Sequence, residues 1–141
     1  MVQVAIEQYE PPGGRLMDDD LAVAFLPATQ RVIVHVRWSA PHGATLAAGE
    51  RAAPRSWALI ACRKRHIADK LYEALDGVDA VVVLGAGMDT TAYRLARRSG
   101  IPAFEVDLPV NIGPKSAAVR HTIGAVPDPV RLVPLDFERR T

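Results

Sequence analysis

The apolar residues of this chain settle into a regular pattern from residue 79 onward. Three runs, DAVVVL (79–84), IPAFEVDL (101–108) and VRLVPLDF (130–137), have strand length and favour β-branched and aromatic residues. Between them lie two stretches with helical spacing. The first reaches to about Ser99, with Gly100 as its stop. The second, PKSAAVRHTIGA (114–125), tolerates Pro114 in its first turn. The order is therefore β-α-β-α-β. Short connections and apolar strands imply a parallel sheet with right-handed crossovers, arranged 3-2-1, which is one half of a doubly wound α/β fold.

Ahead of residue 79 the pattern is less regular. Pro11, Pro12, Gly13 and Gly14 punctuate the start, which reads as an arm or loop. MDDDLAVAFLP (17–27) reads as a short helix, capped by Asp18, Asp19 or Asp20 and stopped by Pro27. RVIVHVRW (31–38) is a strand by its β-branched residues, or a helix if it packs on all sides. Residues 39–56 carry two prolines and two glycines and read as a loop. Ser56 then caps a longer helix. Trp57, Ile60, Ile67, Leu71 and Leu75 fall near one face of it, and Gly77 stands just past its end.

Composition narrows the function classes. At 141 residues the chain is long enough for one domain with a real core. Its 17 basic and 16 acidic residues are interspersed, so no field argues for nucleic acid or an anionic membrane. Cys62 is the only cysteine, which excludes an internal disulfide and fits a reducing, cytoplasmic setting. The N-terminus lacks the pattern of a signal peptide, and no apolar run approaches the roughly 18 residues that span a bilayer. His35, His42, His66 and His121 are scattered and show no metal-ligand spacing.

The candidate chemistry sits where the strands end. VVVLGAGMDTTAYRL (81–95) is a strand, a glycine turn and a helix start. Gly85 lets the chain turn sharply, and Gly87 lets a ligand approach the backbone. The helix start offers free N–H groups and partial positive charge. Asp107, 20 residues past Gly87, ends the second strand, where a carboxylate accepts hydrogen bonds from the hydroxyls of an adenosine ribose. Asp136 ends the third strand on the same edge, with Phe137 beside it to pack on an adenine face. A solvated strand end or a helix cap is the bland alternative for each acid. Glu105 alternates in phase with Asp107, and lines the site or caps a helix. Thr90 stands where a dinucleotide fingerprint has its third glycine. That favours a ligand without a pyrophosphate, and S-adenosylmethionine is one.

The segments VVVLGAGMDTTAYRL, FEVDLP and VPLDF together resemble the leucine carboxyl methyltransferase-like family of S-adenosylmethionine-dependent methyltransferases, in its actinobacterial branch. LMDDDLAVAFLP is similar to that family's N-terminal aspartate-rich segment, and CRKRHIADKL to its Arg-Thr-Arg-x-x-Asp-Asp helix motif. The likeness runs from about Leu16 to Phe137. It implies a Rossmann-like methyltransferase fold truncated to its first β-α-β-α-β half, with N-terminal helices. It divides the chain into an arm and cap segment, 1–55, and a partial cofactor-binding domain, 56–141, within a single structural unit. Gly85 and Gly87 would form the cofactor turn, Asp107 would bind the ribose, and Asp136 and Phe137 would sit near the adenine. Arg63 or Arg65 would reach the methionine carboxylate; a solvated basic face is the competing reading. Methyl acceptors in the family include protein carboxyl groups and small molecules.

The chain departs from the family pattern at several points. Thr91 replaces an arginine, Ala68 replaces the first aspartate of the helix motif, and Gly113 and Pro114 interrupt a stretch that usually runs straight into a helix. Members are also much longer, and their remaining strands and substrate-covering segments would follow Thr141. Strand 81–84 would then have an open apolar edge, a site for pairing with a second copy or another polypeptide, or a source of marginal stability. Three functions compete on these grounds: an S-adenosylmethionine-dependent methyltransferase, a non-catalytic remnant of one, and an NAD-dependent oxidoreductase fragment. Methyl transfer depends mainly on positioning, so no catalytic residue is named. Tyr93 reads as a core aromatic and His66 as a surface residue.

Overall fold

A computed structural model describes residues 2–39 and 56–139. The chain divides into two compact units, residues 1–71 and 72–141. The first holds helices α1 (Val2–Glu7) and α2 (Ala28–Ser39) and most of α3 (Ser56–Ala74). The second holds strand β1 (Val81–Leu84), helix α4 (Thr91–Ser99), strand β2 (Ala103–Asp107), helix α5 (Pro109–Ile123) and strand β3 (Val130–Pro134).

The first unit corrects several expectations. Its opening segment is helical, with Val4 and Ala5 buried, and a short 3-10 turn follows at Pro12–Gly14. Side chains order the proline- and glycine-rich stretch. Gln8 Nε2 donates to the carbonyls of Val4 and Met17, at 2.9 and 3.0 Å, and its Oε1 accepts from Asp19 N–H at 2.9 Å. Arg15 donates to the carbonyls of Glu10 and Gln8, each at 2.7 Å. Within 17–27, residues 20–25 form turns and the rest is irregular, instead of a helix. Buried Asp19 accepts from Leu21 N–H at 3.2 Å, and this local bond competes with a helical ladder. Pro27 precedes a helix instead of ending one, because its carbonyl accepts from Arg31 N–H at 2.9 Å. Residues 31–38 are thus helical within α2, and α1 and α2 pack together. The loop expected at 39–56 lies almost wholly outside the described residues.

Helix α3 appears where expected. On and beside its expected apolar face, Ala61 and Ala68 are buried, Ile60, Leu71 and Leu75 are half-buried, and Ile67 is exposed. Gly77 falls within a 3-10 turn, Leu75–Gly77, instead of standing just past the helix.

One buried group in this unit gives a pH-dependent prediction. Glu7 is buried, and its Oε2 has no hydrogen-bond partner among the described residues. Desolvation raises its pKa above the ordinary value, against the lowering effect of the Leu16 and Met17 backbone groups. A raised folded-state pKa contributes stability that is present below pH 4.5 and lost as pH rises through the folded value. Glu7→Gln is expected to raise the melting temperature at pH 7 and flatten its dependence between pH 5 and 7. Unchanged slopes in thermal melts of both proteins would contradict this.

The second unit follows the sequence closely. Its sheet is parallel throughout, in the order β1-β2-β3, with Val83 opposite Glu105 and Glu105 opposite Leu132. Tyr93 of α4 and Lys115 of α5 both reach Glu105 of β2, so both helices cover the same sheet face. That is what two successive right-handed crossovers in one direction produce. The other face carries Val82 and Leu84, which are 56% and 67% exposed, and Phe104. Helix α4 buries Ala92, Tyr93 and Leu95, and Gly100 closes it at φ +68°. Helix α5 starts at Pro109, five residues earlier than expected, so Pro114 is internal to it. The Asp107 carboxylate organises that start by accepting from Leu108 N–H and from Asn111.

Candidate cofactor site at the carboxyl edge of the sheet

The glycine turn is built by local backbone demands. Gly85 and Gly87 have φ of +64° and +45°, a region that other residues enter only with strain. Position 90 is different. Thr90 has φ −109° and a buried side chain, so the fold requires no glycine there. Gly85 N–H donates to the Val106 carbonyl at 2.9 Å, which ties the turn to β2. The Asp89 carboxylate accepts from Thr91 N–H at 2.7 Å and so satisfies one of the free donors at the start of α4. Among the described residues, no heavy atom beyond the adjoining residues lies within 4 Å of where a Cβ would stand on Gly85 or Gly87. That side of the turn is open to a ligand.

Asp107 is the hub of the site. Its Oδ2 accepts from Gly87 N–H at 2.5 Å, clamping the turn across a sequence separation of 20 residues. Its Oδ1 accepts from Leu108 N–H at 2.7 Å and from Asn111 Nδ2 at 2.8 Å. Burial opposes ionisation of this carboxyl. The Asn111 bond, the Gly87 and Leu108 N–H groups and the nearby Lys115 charge outweigh it, so the pKa lies below the ordinary value. A carboxylate offers about four acceptor positions, and three are taken here. Asp107 is therefore a turn clamp, tied to the start of α5 through Leu108 and Asn111, that retains acceptor capacity for a ligand hydroxyl.

The structure brings Gly85, Gly87 and Asp107 together. Asp136 and Phe137 follow β3 at the same edge, where Leu135 N–H donates to the Asp107 carbonyl at 2.8 Å. The Asp136 carboxylate accepts from Glu138 N–H at 3.0 Å and meets Arg139 at 3.3 Å, while the Phe137 ring is exposed. Arg63 and Arg65 belong to the first unit. Arg63 is exposed, and Arg65 pairs with Asp69 at 2.9 Å and donates to the Leu16 carbonyl at 3.2 Å. Glu105 neither caps a helix nor reaches solvent; it is buried against Lys115 and Tyr93. Tyr93 is a core aromatic and His66 is exposed, as expected. Asn111 and Lys115 were not anticipated. Their signal lay in a helix start placed directly after the strand-two acid.

A parallel sheet with a glycine turn after β1 and a clamping acid at the end of β2 defines a Rossmann-like α/β fold of the nucleotide-cofactor class. The chain belongs to the leucine carboxyl methyltransferase family, whose model matches residues 1–141. It is similar to proteins named "Putative S-adenosyl-L-methionine-dependent methyltransferase" in several actinobacteria. One from Frankia alni is 34% identical over 111 residues, covering 75% of this chain and 36% of the relative. One from Mycobacterium avium is 34% identical over 130 residues, covering 86% of this chain and 41% of the relative. One from Streptomyces coelicolor is 41% identical over 63 residues, covering 44% and 22%. The chain thus spans about two-fifths or less of the length of these relatives. Among the described residues, no helix is long and apolar enough to cross a membrane.

Proposed function

We propose that this chain forms the cofactor-binding part of an S-adenosylmethionine-dependent O-methyltransferase. The observation that carries the reading is the Asp107 clamp, an ionised carboxylate fixed to Gly87 N–H beside an open glycine turn. The ribose hydroxyls would donate to the remaining acceptor capacity of Asp107, with the exposed Asn111 side chain free to yield its bond. Phe137 would pack on the adenine, and Asp136 would accept from its amino group. The amino-acid end would lie along Gly85 and Gly87. When bound, the cofactor supplies a methyl group activated by its sulfonium. The residues named here bind and orient it.

Thr90 favours this reading over NAD, because a buried threonine occupies the place where close packing beneath a pyrophosphate calls for glycine. In isothermal titration, S-adenosylhomocysteine is expected to bind with micromolar affinity and NADH to be silent. The reverse pattern would establish the oxidoreductase reading instead. A remnant that has lost its cofactor would bind neither.

The exposed residues of β1 support a second part of the proposal. Val82 and Leu84 lie on an edge strand, and parallel sheets normally have both faces covered. Pairing along that edge with another polypeptide, a second copy of this chain in the simplest case, would satisfy the free backbone groups of β1 and extend the apolar face that Val82 and Leu84 belong to. Sedimentation velocity across a concentration series is expected to show association. A monomer with a cooperative melt at every concentration would oppose it.

A further inference from the structure

Three buried polar side chains meet on the helix-covered face of the sheet, one from each of three successive elements. Lys115 Nζ of α5 lies 2.6 Å from Glu105 Oε1 of β2, and the Tyr93 hydroxyl of α4 donates to Glu105 Oε2 at 3.0 Å. The ammonium also stands 5.6 Å from the centroid of the Tyr93 ring, within cation–π range. Glu105 and Lys115 are 0% and 1% exposed. Both oxygens of the carboxylate are therefore engaged by partners that water does not reach.

The placement of this cluster relates it to the candidate site. Glu105 and Asp107 are two residues apart on one strand and point to the same face. Lys115 is one helical turn from Asn111, which donates to Asp107 Oδ1. Tyr93 sits in the first turn of α4, just past the glycine turn whose Gly87 N–H donates to Asp107 Oδ2. The helix that carries Asn111 and the helix that follows the glycine turn are thus both tied to β2 through Glu105. A buried ion pair is a poor choice for stability alone, because apolar residues of similar volume often do as well or better.

We propose that Lys115, locked by Glu105 and Tyr93, is a positioning residue for the Asp107 site: it holds Asn111 and the glycine turn in register with the carboxylate and sets a buried positive charge near it. This extends the cofactor reading and rests on it for its functional consequence. The charged and titratable groups around the cluster are Asp107 and Glu105 on β2, Asp89 after the turn, Tyr93 on α4 and Lys115 on α5. Lys115 favours the ionised form of Asp107, and Asp89 and Asp107 in turn favour the charged form of Lys115.

The test uses the full chain without ligand, and then with S-adenosylhomocysteine. In Glu105→Gln/Lys115→Met, the Asp107 carboxyl carbon is expected to titrate at higher pH than in the wild type. The Gly87 amide proton resonance should move upfield as its hydrogen bond weakens, and S-adenosylhomocysteine should bind about tenfold more weakly, or about 1.4 kcal/mol. Tyr93→Phe, a smaller change, should move the same two resonances in the same direction. If neither variant moves the Asp107 titration or the Gly87 amide, the cluster is merely structural and the inference is overturned. Loss of cofactor binding by the wild type would instead strike the proposed function, because the resonance shifts are read without ligand.

Discussion

Lys115→Met alone is expected to destabilise the chain by about 3–5 kcal/mol, the usual cost of leaving one partner of a buried ion pair uncompensated. Burial pushes the Glu105 carboxyl above its ordinary pKa and the Lys115 ammonium below its own, while their mutual attraction opposes both shifts. Without the ammonium, Glu105 would keep only the Tyr93 hydroxyl and would have to bind a proton to remain buried. The loss is comparable to the whole stability of many small domains. The single variant should therefore melt far below the wild type or accumulate unfolded. Glu105→Gln/Lys115→Met removes both charges and keeps the volumes, so most of the stability should return. Urea denaturation of the three proteins decides the matter. A single variant as stable as the wild type would show that the pair is not coupled as the 2.6 Å contact indicates.

Asp107→Ala carries the largest expected effect on binding. Two hydrogen bonds from ribose hydroxyls to a carboxylate contribute about 1.5–3 kcal/mol each. Their joint loss should weaken S-adenosylhomocysteine binding by about a hundredfold or more. The substitution also removes the acceptor for the N–H groups of Gly87 and Leu108, with a stability cost of about 1 kcal/mol or more. Asp107→Asn separates the two roles. Its amide oxygen keeps one acceptor while its NH2 faces a former donor, so stability should fall about as in Asp107→Ala, whereas affinity should fall only to an intermediate value. Equal affinities for wild type and Asp107→Ala would remove Asp107 from the site.

These predictions depend on residues that differ in how visible they were. Gly85, Gly87 and Gly100 were legible because their roles are local: a positive φ at a strand end or helix end is a demand that glycine meets without strain. Asp107 was legible as a ligand group from its spacing and strand end, but its bonds to Gly87 and Asn111 were not. They arise only when β1 and β2 are brought side by side. Thr90 looked like a lost glycine until its ordinary backbone angle showed that none was needed.

The alternating apolar runs and the glycine positions determined the second unit: three strands, two crossover helices, the order 3-2-1 and the turn at the carboxyl edge. Those features follow from side-chain period and backbone angle, which each short segment carries by itself. Tertiary structure decided the rest. Competing side-chain bonds from Gln8, Arg15 and Asp19 shaped the segment before α2, which a propensity argument cannot weigh. Along α3, packing buried Ala61 and Ala68 and left Ile67 exposed, which helical spacing alone does not distinguish. Nothing in the local sequence singles out Lys115. It became a buried cation only because the second crossover lays its helix against Glu105, and no local pattern encodes which charge will find a partner across the sheet.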